Sequence, residues 1–165
     1  MIRKAITWVL LLSLAGCVTV QPGKKQRKVE GQAGRVIDSI GLLIDANYDP
    51  RLDHVIRGYK VLPVDIKNNS LRAISMDVKE DRWVIVSEKG KSYRAINSLR
   101  LKDPLVWRAT PEKVRNMVDY PEIIPIDYNV TFDLFFSPQD KLEYFGEIHY
   151  YNAALKQEFV LEKLY

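Results

Sequence analysis

Tyr59-Lys60-Val61-Leu62-Pro63-Val64-Asp65-Ile66-Lys67-Asn68-Asn69-Ser70 sets the class of fold. In an extended chain Lys60, Leu62, Val64 and Ile66 share one face, and Tyr59, Val61, Pro63 and Asp65 share the other, because successive side chains of a strand point to opposite sides. Asn68-Asn69-Ser70 ends the run with residues whose side chains bond their own backbone in turns. Downstream, residues 71–78 place Ile74, Met76 and Val78 on one side of a second extended run. Trp83, Ile85 and Ser87 then alternate with Val84 and Val86, and Glu88-Lys89-Gly90-Lys91 predicts a turn into residues 92–97, making a hairpin.

Further out the same period returns. Tyr128, Val130, Phe132, Leu134 and Phe136 alternate with Asn129, Thr131, Asp133, Phe135 and Ser137, and Ser137-Pro138-Gln139-Asp140 closes that strand. Residues 144–151 and 155–164 read as two final strands joined near Asn152-Ala153-Ala154. On the N-terminal side, Val36, Ile37, Ile40, Leu43 and Ile44 also fit a helical face, but the β-pattern that follows favours a strand over 36–46. In the middle, Thr110 is a plausible N-cap and Pro111 fits the first helical position. Glu112 suits the positive helix end, and Val114, Met117 and Val118 recur at helical spacing before Pro121. One short helix is expected there, with the apolar residues of 99–107 packing across a sheet. The 130 residues 36–165 suit one domain. The expected architecture is mainly β, an antiparallel immunoglobulin-like β-sandwich with one short crossover helix.

At the start of the chain, Arg3 and Lys4 precede the mostly apolar residues 5–14, which are too few for the ~20 that span a bilayer. Leu14-Ala15-Gly16-Cys17 follows, and Cys17 is the only cysteine. A lone thiol has no intramolecular disulfide partner in an oxidising compartment. The pattern resembles the lipobox of bacterial lipoproteins, in which Leu14, Ala15 and Gly16 are the recognition residues. The resemblance implies cleavage before Cys17, acylation of Cys17 and anchoring in a membrane. Val18 in place of the Asp that often retains such proteins on the inner membrane implies the outer membrane, on its periplasmic face. Two or more acyl chains give stable anchoring where one gives only marginal binding.

Charge location excludes a nucleic-acid reading. The net charge is +4, but Arg3 and Lys4 belong to the leader, and Lys24, Lys25, Arg27, Lys28 and Arg35 stand against Glu30 in residues 18–35. Residues 36–165 hold 18 Lys and Arg against 20 Asp and Glu, so no basic groove is implied. Residues 17–35 read as the acylated cysteine and a basic tether, with 1–16 as signal peptide. Residues 59–70, with Trp83 to Val86 and Gly90-Lys91-Ser92-Tyr93, resemble the immunoglobulin-like domains of small bacterial envelope lipoproteins of uncharacterised function.

Candidate sites are few. Asp45, Asn47, Asp49 and Asp53 fall at positions 1, 3, 5 and 9 of a calcium-type loop. Pro50 stands where the sharp turn needs glycine, and Ile56 stands where a bidentate Glu is needed, so a polar surface loop is the simpler reading. His54 and His149 lack a second ligand at metal spacing, and nucleophile-elbow, P-loop and dinucleotide patterns are missing. Aromatic rings crowd the C-terminal third on both strand faces. Phe135, Tyr150 and Tyr151 are therefore candidates for an outward binding surface, against the alternative that they form a second core layer beneath the segment around Trp107. These features together predict a non-enzymatic lipoprotein without cofactor, holding the membrane through Cys17 and a protein partner in the envelope. A glycan- or metal-binding lipoprotein is the alternative.

Overall fold

Alternation along each run produces a sheet whose inner face is almost wholly aliphatic and aromatic. The computed structural model describes residues 32–37 and 40–163. Cys17, its recognition residues Leu14, Ala15 and Gly16, and the basic cluster at 24–28 lie outside the described residues. The strands within them are β1 (Gln32–Ile37), β2 (Leu42–Tyr48), β3 (Lys60–Asn68), β4 (Ile74–Ser75), β5 (Arg82–Ser87), β6 (Ser92–Arg94), β7 (Ile123–Ile124), β8 (Asn129–Phe136), β9 (Phe145–Asn152) and β10 (Gln157–Lys163). Three helices intervene, α1 (Leu99–Lys102), α2 (Pro104–Ala109) and α3 (Glu112–Val118).

Eight strands pair antiparallel in the order β6-β5-β9-β10-β1-β2-β3-β8, and β4 pairs with β7 separately. The outer members of the series also meet. Ile96, just past β6, donates its N–H to the Phe135 carbonyl of β8 at 2.8 Å and accepts from the Phe135 N–H at 3.1 Å. The large sheet therefore curls into a closed ring. An immunoglobulin-like sandwich divides its strands between two sheets, whereas here one unbroken pairing series carries all the long strands. Alternation specifies which face of each strand is buried in either architecture, and only long-range pairings such as β1 with β10 decide between them.

Inside the ring lie Leu42, Ile44, Leu62, Val64, Ile66, Ile85, Phe132, Leu134, Phe136, Ile148 and Leu161, all buried. Trp83 stacks on Tyr150 with ring centroids 4.0 Å apart, and Phe132 meets its edge at 5.9 Å. Such pairs add about 1 kcal/mol each beyond burial.

Local readings differ at several points. Residues 32–35, expected in the tether, belong to β1, which pairs with β2 over Gln32↔Tyr48 to Ile37↔Leu43. The single strand expected over 36–46 is instead the end of β1 and the start of β2, which pair antiparallel, and Gly41 just before β2 has a φ of +92° that strains any side chain. A Cβ there would also sit 3.1 Å from the Asn69 carbonyl. Residues 71–78 yield only the short β4, because their partner β7 is confined between Pro121 and Pro125.

The single helix expected near 111–118 is the last of three. The Thr110 hydroxyl donates to the Val106 carbonyl at 2.8 Å, so Thr110 closes α2 instead of opening α3, and Pro111 is the residue that precedes α3. Ser98 and Asp103 supply the caps for α1 and α2, accepting from the Leu101 and Val106 N–H groups. The helices cover the outer face of β3 and β8, where Leu99 packs with Ile56, Val61 and Phe135. Val61 and Leu62 are consequently both buried, on opposite faces of one strand.

Candidate functional site

The rings expected to form a binding surface land in different places. Phe135 is 0 % exposed. Its face does point out of the ring, but Leu99, Val106, Trp107 and Val114 cover it. Tyr150 points inward and is buried against Trp83 and Phe159. Both are corrections: these two residues form core layers. Tyr151 alone stays half-buried on the outer face, with the Arg82 guanidinium 4.7 Å from its ring centre.

The calcium-type oxygens are likewise dispersed. Asp45 and Asn47 sit on the outward face of β2, where Arg35 grips Asp45 at 2.6 Å. Asp49 accepts from the Arg51 backbone N–H and guanidinium, both at 2.9 Å, and opens the 3-10 turn Pro50–His54. Asp53 accepts from the Tyr48 hydroxyl at 2.7 Å, with the Lys60 ammonium 3.8 Å away and itself bound to Glu143 at 2.7 Å. Among the described residues no three His, Cys, Asp or Glu side chains gather to hold a metal ion. Burial, then the Asp53 carboxylate, pushes the Tyr48 hydroxyl up from 10. Partial burial favours a neutral Glu143. The hydrogen bond and charge of Lys60, the residue's own backbone and the Tyr48 hydroxyl outweigh that effect and lower it.

A second polar knot closes the opposite end of the ring. Asp81, 2 % exposed, accepts from the Ala153 N–H at 2.9 Å, the Asp77 N–H at 3.1 Å, the Tyr120 hydroxyl at 2.8 Å and the Tyr150 hydroxyl at 3.3 Å. Trp83 Nε1 donates to Tyr120, and Asn152 Nδ2 donates to Tyr150 at 2.7 Å. Burial first, then nearby charge including Asp81, raises both tyrosines. This carboxylate has its acceptor capacity filled by structural donors.

The exposed features that remain are apolar. Leu71 is 98 % exposed, and Ile123, Ile126 and Tyr128 are also open. Asn68, fully buried, ties their segments together. Its Nδ2 donates to the Arg72 carbonyl at 2.8 Å and the Ile124 carbonyl at 3.1 Å, and its Oδ1 accepts from the Ser70 N–H at 3.0 Å and hydroxyl at 2.6 Å. Its main chain bonds those of Asp127 and Tyr128. The result is a rigid knuckle of four large apolar side chains on segments held by one asparagine. Sequence reading missed it. The signal was present in Pro121-Glu122-Ile123-Ile124-Pro125-Ile126, where two prolines keep the isoleucines from forming a long, buried strand.

Beside this knuckle a polar cleft of about 500 Å³ is lined by Asp77, Ser98, Arg100, Asp119, Tyr120 and Glu122 among others. Among the described residues no helix is long and apolar enough to cross a membrane. The chain matches no protein-family model, no curated protein and no solved structure.

Proposed function

We propose that this is a membrane-tethered, non-enzymatic lipoprotein of the bacterial envelope. It is anchored through acylated Cys17 at the periplasmic face of the outer membrane and binds a protein partner. The knuckle of Leu71, Ile123, Ile126 and Tyr128 carries the reading: large apolar side chains held open to solvent by a buried asparagine are what a protein partner covers. The partner surface moves accordingly from Phe135 and Tyr150, which are core, to this knuckle. A photoreactive residue at position 71 or 126 in growing cells is expected to give a discrete crosslinked product that the same residue at Lys89 does not. Equal, diffuse labelling at all three positions overturns the reading.

The alternative of a glycan-binding lipoprotein is favoured by one observation, the cleft in which Asp77, Ser98, Arg100 and Glu122 offer polar groups beside the Tyr120 ring. Titration with soluble peptidoglycan fragments tests it, and loss of binding in Arg100→Ala would assign the cleft.

A further inference from the structure

Gln32, where the described chain enters, pairs with Tyr48 at the end of β2, the same end from which the turn Pro50–His54 departs. Next to that turn lies a groove of about 630 Å³, with His54, Val55 and Arg57 on one wall and Leu105, Ala109 and Pro111 on the other. Its rim stands open: Leu105 is 76 % exposed and Val55 40 %. Arg57 on its wall and Arg108, in α2 between the lining residues Leu105 and Ala109, are exposed. Residues 98–118 carry five Lys and Arg against Asp103 and Glu112. Asp103 is occupied by the Tyr59 hydroxyl and the Val106 N–H. Because residues 36–165 as a whole carry an acidic excess, this face gathers positive charge and open aliphatic side chains on an otherwise acidic fold.

We propose that this face docks on an anionic phospholipid bilayer, the one in which Cys17 is anchored; the inference rests on the anchored reading above. Leu105 and Val55 enter the boundary of the acyl chains, and Arg57 and Arg108 meet lipid phosphates, the combination that holds amphipathic surfaces at an interface. The tether supplies the placement. Residues 18–31 separate Cys17 from Gln32 and span at most about 50 Å, and they join the fold at the end that bears the groove. The knuckle at Leu71 is a poorer lipid surface, because Arg72 is offset there by Glu122 and Asp127, and docking of the helical face leaves it turned away from the membrane. Contact with lipid thus orients the partner surface towards the periplasm.

The test uses the full chain purified from membranes and reconstituted in phosphatidylcholine vesicles containing about one third phosphatidylglycerol. With Cys17 acylated, Leu105→Cys provides the one free thiol, which is labelled with an environment-sensitive fluorophore. A blue-shifted, brightened emission is expected, which is missing from a matching Leu71→Cys label and from pure phosphatidylcholine vesicles. High salt should weaken it, and Arg57→Gln and Arg108→Gln should each lower the docked fraction about fivefold. A water-like label at position 105 on anionic vesicles overturns the proposal. If that label is nevertheless shielded in intact cells, a protein covers the face instead of lipid. The anchor is read separately: label appearing on Cys17 of the unaltered chain refutes acylation, and the vesicle response at position 105 still decides docking.

Discussion

The two ends of the ring are closed by polar groups of opposite design. At one end Asp81 is enclosed and its donors are neutral: two backbone N–H groups and two tyrosine hydroxyls. At the other, Lys60 bridges Glu143 and Asp53 beside Tyr48, with both signs of charge present and the Glu143 side chain 40 % exposed. The first arrangement works because its acceptor is saturated in a place water does not reach. In the second, Lys60 and Asp53 are mostly enclosed, and the half-open Glu143 keeps the cluster sensitive to protonation. A buried network therefore fixes the fold, while an open one adjusts it.

The largest expected effect comes from breaking the enclosed end. Asp81→Ala strands four donors at once, and at roughly 1 to 3 kcal/mol for each buried group left unpaired, partly relieved by relaxation, a loss of about 4 kcal/mol is expected in chemical denaturation. A loss under about 1 kcal/mol would mean that water enters this end as it does the other. Phe135→Ala comes next, at about 3 to 4 kcal/mol, because it opens a cavity between the helices and the sheet. An unchanged melting temperature would return Phe135 to the role of an exposed binding ring. Lys60→Met should cost about 2 kcal/mol, since the methionine keeps the apolar stem but leaves Asp53, 17 % exposed, without its cation.

The subtlest differences lie in pH. Glu143 titrates below its ordinary 4.5 in the folded chain, so its contribution is present above 4.5 and is lost as pH falls from there through the lower folded value. Stability should sag across that window, and Lys60→Met should flatten the Glu143 contribution. Tyr48, Tyr120 and Tyr150 are raised above 10, so their neutral forms support the fold below pH 10 and that support is lost as pH climbs past it. In an absorbance titration, three of the nine tyrosines should ionise only together with unfolding. A smooth titration of all nine before unfolding would show that neither end is sealed.

Much of the strand content was legible because each run has one buried face: Leu62, Val64 and Ile66 turn inward as their spacing requires. Asn68-Asn69-Ser70 ends β3 as read, and Gly90 at φ +76° turns the β5–β6 hairpin. What eluded the sequence was pairing between distant residues. Nothing local to Ile96 indicates Phe135 as its partner, and nothing near residues 32–35 indicates β10. The helical layer was underestimated because α1 has four residues and α2 six, too short for periodicity to register, although the caps Ser98 and Asp103 were in plain view. Among the candidate site residues, the outward direction of Phe135 was legible, and its cover, the segment around Trp107, stood as one of two alternatives. Outward-facing side chains are buried when a second layer lies on them, and here that layer comes from residues 99–114, 21 to 36 positions upstream.

The pairing of β1 with β10 has a temporal consequence. The first and last strands of the described fold are neighbours, Arg35 opposite Glu162, so the ring stays open until β10 has been made. The chain that precedes β10 cannot complete the ring, so cooperative folding waits on residues 157–163. Truncation before Gln157 would leave β1 and β9 each lacking a neighbour, the condition in which strands pair with other molecules.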